Sequence, residues 1–592
     1  MLMIWKRLGV KQWSMITVST AFIIAQVWLD LRIPEYMTEV TTIVTTPGGL
    51  ISDILHVGGK MLLCALGSAF AALIVGFIAA RVGAGFSHKL RGDVFRRVGS
   101  FSMEEINEFS TASLITRTTN DVTQIQIIIA MGMQVIIRAP VMSIWAVSKM
   151  SVGNWEWTAL TGGLVAVVVG MIAALMTYSL PRFRLIQTLT DNLNRITREN
   201  LTGIRVVRAY NAEDYQEAKF EKANEEYTET SLSVHKAMQI MNPVMWSITT
   251  GIPLGIFWIG AYLIEAAPIA DKLVIFSNMV VFSQYALQII MSFMMLTMVF
   301  VMLPRVMVSL KRVNEVLETK PKIIDGKINE AGNIYGEVEF RNVSFKYPDA
   351  GDYVLHDISF KVNSGETVAF IGSTGSGKST LINLLPRFYD ATEGQVLVDG
   401  VDVKDYTQEA LRYKLGYVPQ RAVLFTGTVA SNVALGDNGK PGSDEEDIKK
   451  AVHMAQAADF VENMEGAYEA QIAQGGTNVS GGEKQRLAIA RAICRKPEIF
   501  IFDDSFSALD YKTDRGLRSA LRSETAGTTN LIVAQRIGTI RDADRIIVLD
   551  EGRLVGMGRH DDLMKTCGIY QEIAYSQLSS KELGVTKGGM GA

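Results

Sequence analysis

Apolar residues follow two patterns along this 592-residue chain. Up to about residue 303 they form long, nearly unbroken runs, whereas from about 336 they form short runs punctuated by Gly and charge. A helix that crosses a bilayer needs about 20 mostly apolar residues. Six stretches meet that length, near 15–34, 54–82, 128–150, 157–181, 242–264 and 273–303. The first is too long and lacks a small-residue cleavage site, so it reads as a retained helix rather than a signal peptide. The connections at roughly 83–127 and 182–241 are polar but contain few helix breakers, so the spans are expected to continue well beyond the bilayer.

Charge sets the orientation. Lys6, Arg7 and Lys11 precede the first span, Lys89, Arg91, Arg96, Arg97 and Arg117 follow the second, and Arg182, Arg184, Arg195 and Arg198 follow the fourth. Cation-rich connections stay on the cytoplasmic side. The segment after the first span, "EYMTEVTTIVTTPGG", has no Lys or Arg and faces out. Six spans return the chain to the inside, which places everything after "LPRVMVSLKRVNEVLETK" in the cytoplasm. The net charge of −3 gives no footprint for nucleic acid, and Cys64, Cys494 and Cys567 form neither a disulfide framework nor a metal pattern.

The strongest short signal is "VAFIGSTGSGKSTLINLL". Gly372, Ser373, Thr374, Gly375, Ser376, Gly377, Lys378, Ser379 and Thr380 follow an apolar strand and open a helix, which fits the phosphate-loop pattern G-x-x-x-x-G-K-[ST]. Backbone N–H groups of such a loop cradle phosphates, Lys378 reaches the terminal ones, and Ser379 ligates Mg2+. A second apolar strand, "EIFIFD", ends in Asp503, a carboxylate placed to hold Mg2+ or its water.

The order of these motifs resembles the ATP-binding cassette transporters. The resemblance is carried by Tyr347 in "SFKYPD", the loop at 372–380, Gln420 in "LGYVPQ", "VSGGEKQR" at 479–486, Asp503 and "SALD" at 507–510. Six spans before one cassette resemble the half-transporter exporters of that family, and "LITRTTNDVTQI" and "ENLTGIRVVRAYNAEDYQEAKF" look like their coupling segments. The implied fold is an α-helical membrane domain of six spans with long cytoplasmic extensions (1–310, with two coupling loops), a linker (311–335), an α/β nucleotide-binding domain (336–578) and a polar tail (579–592). The implied cofactors are ATP and Mg2+. Tyr347 would stack on adenine, Gln420 would sense Mg2+ and couple to the membrane helices, and Ser480, Gly481 and Gly482 would bind the γ-phosphate held by an opposing cassette.

Two positions depart from the family pattern. Asp504 stands where most members have the Glu that polarises the attacking water, and Gln535 stands where a His is expected. Ala473-Gln474 replaces a common Gly-Glu, a milder change, and Glu483 stands where Gln is commoner. Residues acting on the chain's own ATP are altered, while those presented to a partner's ATP are kept. This combination resembles the degenerate-site subunit of bacterial heterodimeric multidrug exporters in the cytoplasmic membrane, and implies a second, non-identical half-transporter with intact Glu and His. Alternatives are a homodimeric exporter, a lipid or lipopeptide flippase, or a regulatory module that gates without pumping; the six spans exclude a DNA-managing ATPase.

Met-rich span 6, "MSFMMLTMVFVM", with Trp246, Phe257 and Trp258 of span 5, suits a cavity for hydrophobic small-molecule cargo or a packed, lipid-facing surface. Arg138, two residues before Pro140, is costly inside span 3. It reads either as a polar contact for cargo or gate, or as a structural partner to neighbouring helices.

Overall fold

The computed structural model describes residues 8–45, 50–151, 155–330, 335–348, 350–439, 442–525 and 527–577. Lys6, Arg7 and the polar tail lie outside them. The chain divides into two compact units, Met1–Gly99 with Ser110–Thr319, and Ser100–Phe109 with Lys320–Ala592.

Among the described residues of the first unit, six helices are long and apolar enough to cross a membrane: Val10–Thr45, Ile51–Gly99, Thr111–Met150, Trp155–Thr202, Glu213–Ala266 and Asp271–Val299. They are spans 1 to 6, and the helix holding span 6 runs on to Glu318. Each covers its expected stretch, and most continue as helix through the adjoining polar segment, because nothing there interrupts the backbone ladder. Proline does not end them either: Pro34, Pro140, Pro181, Pro243 and Pro253 all lie within helices.

Span 2 shows what surrounds this unit. Leu63, Phe70, Leu73 and Phe77, spaced as one helix face, are between 64% and 73% exposed, while Ala71, Val75, Ile78 and Val82 on the other face are buried. An exposed apolar stripe of that length is tolerated in lipid and not in water. Inside, Phe282 packs edge-on to Trp157 at 5.1 Å, and the Trp157 indole N–H donates to the Ile256 carbonyl at 3.1 Å. Polar ties join distant spans. Arg138 Nη2 donates to Asp30 Oδ2 at 3.0 Å, and Ser68 Oγ of span 2 donates to the other oxygen of the same carboxylate. Arg138 therefore has a partner on span 1. Trp246 and Trp258 are largely exposed on the unit's surface.

The second unit holds twelve strands among its described residues: β1 Val338–Phe345, β2 Leu355–Val362, β3 Thr367–Gly372, β4 Glu393–Val398, β5 Val401–Asp402, β6 Leu415–Val418, β7 Gly427–Thr428, β8 Gln471–Ile472, β9 Ile499–Asp503, β10 Thr529–Val533, β11 Arg545–Asp550 and β12 Arg553–Gly558. Its helices used below are α1 Met103–Phe109, α2 Lys378–Asn383, α3 Gly481–Cys494 and α4 Gly568–Gln577. The central sheet has the order β12-β11-β3-β10-β9-β6, parallel except for β12. A four-stranded antiparallel sheet, β2-β1-β4-β5, accompanies it. The parallel strands are covered on both faces, so they read as continuous apolar runs. Phe500, Phe502 and Ile532 enter one core, and Ile499, Ile501, Leu531 and Val533 enter the other.

Residues 100–109 come from the connection between spans 2 and 3, yet they belong to this second unit. The sequence pattern assigns the whole connection to the membrane half and marks residues 114–125 as its coupling segment; those residues lie in the first unit, within span 3. Three side chains link the segment to the second unit. The Glu105 carboxylate accepts the Ser102 N–H at 2.7 Å, the Ser102 hydroxyl at 2.6 Å and the Lys322 N–H at 3.1 Å, Glu104 accepts from the Lys322 ammonium, and Asn107 Nδ2 donates to the Tyr389 hydroxyl at 3.1 Å. The contacts to Lys322 and Tyr389 are tertiary, and periodicity does not encode them.

Burial alone would raise the Glu105 pKa, but these hydrogen bonds outweigh it and hold the carboxyl below its ordinary value of 4.5. Its stabilising contribution is therefore complete above that value and lost as pH falls through the lower folded one. Glu105→Ala is expected to raise hydrogen exchange across residues 100–109 about fivefold per hydrogen bond of ordinary worth. Acidification to about pH 3 should act in the same direction once intrinsic exchange rates are corrected. Unchanged protection in both cases would refute this role.

Candidate functional site

The loop between β3 and α2 is shaped by close approach. A Cβ on Gly372 would lie 2.0 Å from the Leu549 carbonyl oxygen and 2.7 Å from Ser376 Oγ, so no side chain fits there. Gly377, at φ 92°, occupies the left-handed region, and a Cβ there would sit 2.7 Å from Leu355 Cδ2. Ser373, Thr374 and Gly375 form the exposed tip, while Ser376, Gly377 and Lys378 are buried. The Lys378 ammonium donates to the carbonyls of Gly372 at 2.9 Å and Ser373 at 2.7 Å, and to Ser376 Oγ at 3.2 Å. Burial pushes its pKa down, opposed by the charges of Asp504 and Asp503. The loop thus presents a desolvated cation held by neutral oxygens.

Strand β9 brings the acidic pair to this loop. Ser379 Oγ donates to Asp503 Oδ1 at 2.8 Å. Asp504, the next residue, leaves the strand at φ 47°, and its N–H donates to the Val533 carbonyl at 3.0 Å. That bond fixes the backbone from which the Asp504 side chain projects. Its Oδ2 accepts from two amides, Gln535 Nε2 at 2.7 Å and Gln420 Nε2 at 3.3 Å. Burial raises the pKa of Asp503, with the Ser379 hydrogen bond opposing and the Asp504 charge adding. Burial likewise raises Asp504, opposed by hydrogen bonds from Gln420, Ser507 and Gln535 and by the Lys378 charge.

Two adjacent buried carboxylates with raised pKa values are an arrangement that a divalent cation relieves. Among the described residues no group of three or more His, Cys, Asp or Glu side chains is placed to hold a metal ion. Asp503 and Ser379 instead offer a carboxylate and a hydroxyl, the sparse oxygen set that suits Mg2+ completed by substrate phosphate and water. The residues present therefore fit Mg2+ and a nucleotide triphosphate.

Not every residue singled out from the sequence joins this cluster. The Tyr347 hydroxyl shares a hydrogen bond with Thr380 Oγ1 at 3.1 Å, and its ring packs edge-on against Phe345 and Tyr389, which places it beside the loop. Ser480 caps α3 through a reciprocal pair with Glu483, at 3.4 Å to the Glu483 N–H and 2.7 Å from the Ser480 N–H to Glu483 Oε2. Gly481 is exposed beside it, and Gly482 lies near the Ala508 carbonyl. These three make no hydrogen bond to the phosphate loop among the described residues. Gln485, one turn into α3, donates to the Pro419 carbonyl at 3.3 Å and so ties that helix to the segment carrying Gln420.

Sequence reasoning misses Gln577, at the end of α4. Its Oε1 accepts the Ile537 N–H at 2.9 Å, and its Nε2 donates to the Gln535 carbonyl at 2.8 Å. No motif marks this residue, and its partners are about 40 positions upstream. Only the folded chain brings them together.

Comparison with known proteins agrees with this architecture. Residues 16–293 match the family model for the ABC transporter transmembrane region, and residues 355–507 match that for the ABC transporter. An uncharacterized ABC transporter ATP-binding protein of Mycobacterium tuberculosis is 38% identical over 544 residues, 91% of this chain and 90% of that protein. An ATP-dependent lipid A-core flippase of Pseudomonas fluorescens is 31% identical over 497 residues, 84% of this chain and 81% of that protein. A bacterial Atm1-family ABC exporter solved with ATP bound superposes with a TM-score of 0.78 at 26% identity, covering 96% of this chain and 99% of that one.

Asp503 and Asp504 must be charged to favour a cation, and their pKa values lie above the ordinary 3.8. Mg2+-dependent ATP affinity is therefore expected to weaken on acidification before ordinary carboxylates titrate, as read by nucleotide-binding titrations between about pH 7 and pH 4. Asp503→Asn should lower that affinity at least about tenfold at neutral pH, the loss of one charge-assisted contact. Equal affinity in the variant would remove Asp503 from the site.

Proposed function

The chain belongs to the ATP-binding cassette transporters as an exporter-type half-transporter, and on that basis we propose that it carries the weakly hydrolytic nucleotide site of a heterodimeric multidrug-type exporter. The observation that carries this reading is the Asp504–Gln535 contact at 2.7 Å. Asp keeps the charge of Glu but is one methylene shorter, which withdraws its oxygens by about 1.5 Å. A general base works within about 3 Å of the proton it takes and contributes about 10²- to 10⁴-fold. Gln535 carries no positive charge, and its Nε2 is already engaged by Asp504.

The remaining parts support nucleotide binding. Lys378 supplies a buried cation at the phosphate loop, and Ser379 and Asp503 supply the oxygens for Mg2+. When bound, Mg2+ neutralises charge on the terminal phosphates and orients them. The loop backbone from Ser373 to Gly377 positions the phosphates, Tyr347 flanks the loop, and Gln420 links Asp504 to the segment that Gln485 holds.

In this reading the partner is a second, non-identical half-transporter with an intact Glu and His, whose ATP meets Ser480, Gly481 and Gly482 of this chain. ATP binding clamps the two cassettes, and the cytoplasmic helices, with Ser100–Phe109 covalently continuous with spans 2 and 3, transmit closure to the membrane helices. Hydrolysis at the partner's site resets them. The nucleotide-binding unit faces the bacterial cytoplasm, as the cation-rich connections imply. Hydrophobic or amphipathic compounds are the cargo. The flippase relative favours a second reading, in which that cargo is a lipid.

The chain purified alone in lipid nanodiscs is expected to bind ATP and turn it over negligibly. Asp504→Glu with Gln535→His should raise turnover at least about tenfold, in the range of a restored general base. Brisk turnover by the unaltered chain would instead establish a self-sufficient homodimer. Vesicle assays then separate the cargoes: uphill accumulation of an apolar dye supports the drug reading, and movement of labelled lipid alone supports the flippase.

A further inference from the structure

The loop that carries Gln535 is gripped from outside the active site. Gln577 accepts from the Ile537 N–H at 2.9 Å and donates to the Gln535 carbonyl at 2.8 Å, so one carboxamide closes a two-point clamp over the backbone of residues 535–537. The clamp stands on a firm base. In α4, Tyr570 and Ala574 are fully buried in the core that also holds Ile546 and Val548 of β11, and the Tyr570 hydroxyl pairs with His560 Nδ1 at 2.7 Å. From that anchored helix the clamp reaches the loop where Gln535 turns its own amide onto Asp504 Oδ2.

We propose that Gln577 is a positioning residue for the nucleotide site, acting through Gln535 on Asp504. Gln535 has a long side chain with several rotatable bonds, and a 2.7 Å hydrogen bond to a carboxylate is kept only if its backbone origin stays fixed. A backbone restrained on both sides of Arg536 supplies that fixed origin. Neither backbone group that Gln577 engages belongs to a strand ladder, since β10 ends at Val533. The Ala534 N–H is held separately, by the Phe370 carbonyl at 3.1 Å. Strand pairing thus holds the loop up to Ala534, the short helix Ile537–Ile540 engages the carbonyls of Arg536 and Ile537, and Gln577 takes the two groups between them, the Gln535 carbonyl and the Ile537 N–H.

The inference rests on ATP turnover at this site, however slow, and is tested with the full chain in nanodiscs by single-turnover phosphate release. Gln577→Met, close in size but without the amide, is expected to lower the rate about fivefold per lost hydrogen bond, with ATP affinity changed less than about twofold. Gln577→Glu keeps the acceptor for Ile537 and loses the donor to Gln535, so it should fall between the two, and it serves if the Met variant does not fold. In a Gln535→Leu background Gln577→Met should have no further effect. An equal loss of rate with and without Gln535 would overturn the proposal. Fast turnover by the unaltered chain would count against the weak-site reading and leave this comparison of variants intact.

Discussion

Two neighbouring carboxylates sit at the end of a strand whose preceding residues, Ile499 to Phe502, are buried and apolar. Keeping Asp503 and Asp504 charged there is unfavourable, and the site is organised around that cost. Lys378 places a cation beside them, Ser379 donates to one, and Gln420 and Gln535 donate to the other. These donors come from three segments, so the acidic pair is also what draws the phosphate loop, the segment after β6 and the segment after β10 into one site. Strand order does the rest: β3 and β9 flank β10 in parallel, which sets the loop and the carboxylates at the C-terminal ends of neighbouring strands.

The altered positions work as a unit within that frame. A shorter acid and an uncharged amide meet at a single oxygen, Asp504 Oδ2, and Gln577 fixes the backbone behind the amide. Phosphate-binding groups face the loop independently of this contact. In the proposed weak-site reading, binding and hydrolysis diverge because the groups offered to phosphate and Mg2+ do not depend on the Asp504–Gln535 contact.

The membrane unit obeys a different rule. The face that span 2 exposes is apolar because lipid demands no polar partner, whereas Asp30, a charge within span 1, is paired with Arg138 and Ser68. An unpaired charge at that depth would carry a desolvation cost that packing does not offset. The polar segment 100–109, by contrast, folds with the cassette. Glu105 bonds to the Lys322 backbone, Glu104 to the Lys322 ammonium and Asn107 to Tyr389, all within that unit.

The six spans, the phosphate loop, Asp503 as the end of a buried strand, and the changed identities at 504 and 535 are all legible in the chain itself. These are local properties: run length, glycine spacing and residue type are set within a few positions. Folding was needed to reveal that Gln535 bonds to Asp504 across 31 residues, that Gln577 clamps its loop across 42, that Arg138 pairs with Asp30 across 108, and that Ser100–Phe109 leaves the membrane half. Side chains such as Gln and Arg satisfy many partners equally well in isolation. Which one they meet is fixed by strand order and helix packing, which no short window of sequence contains.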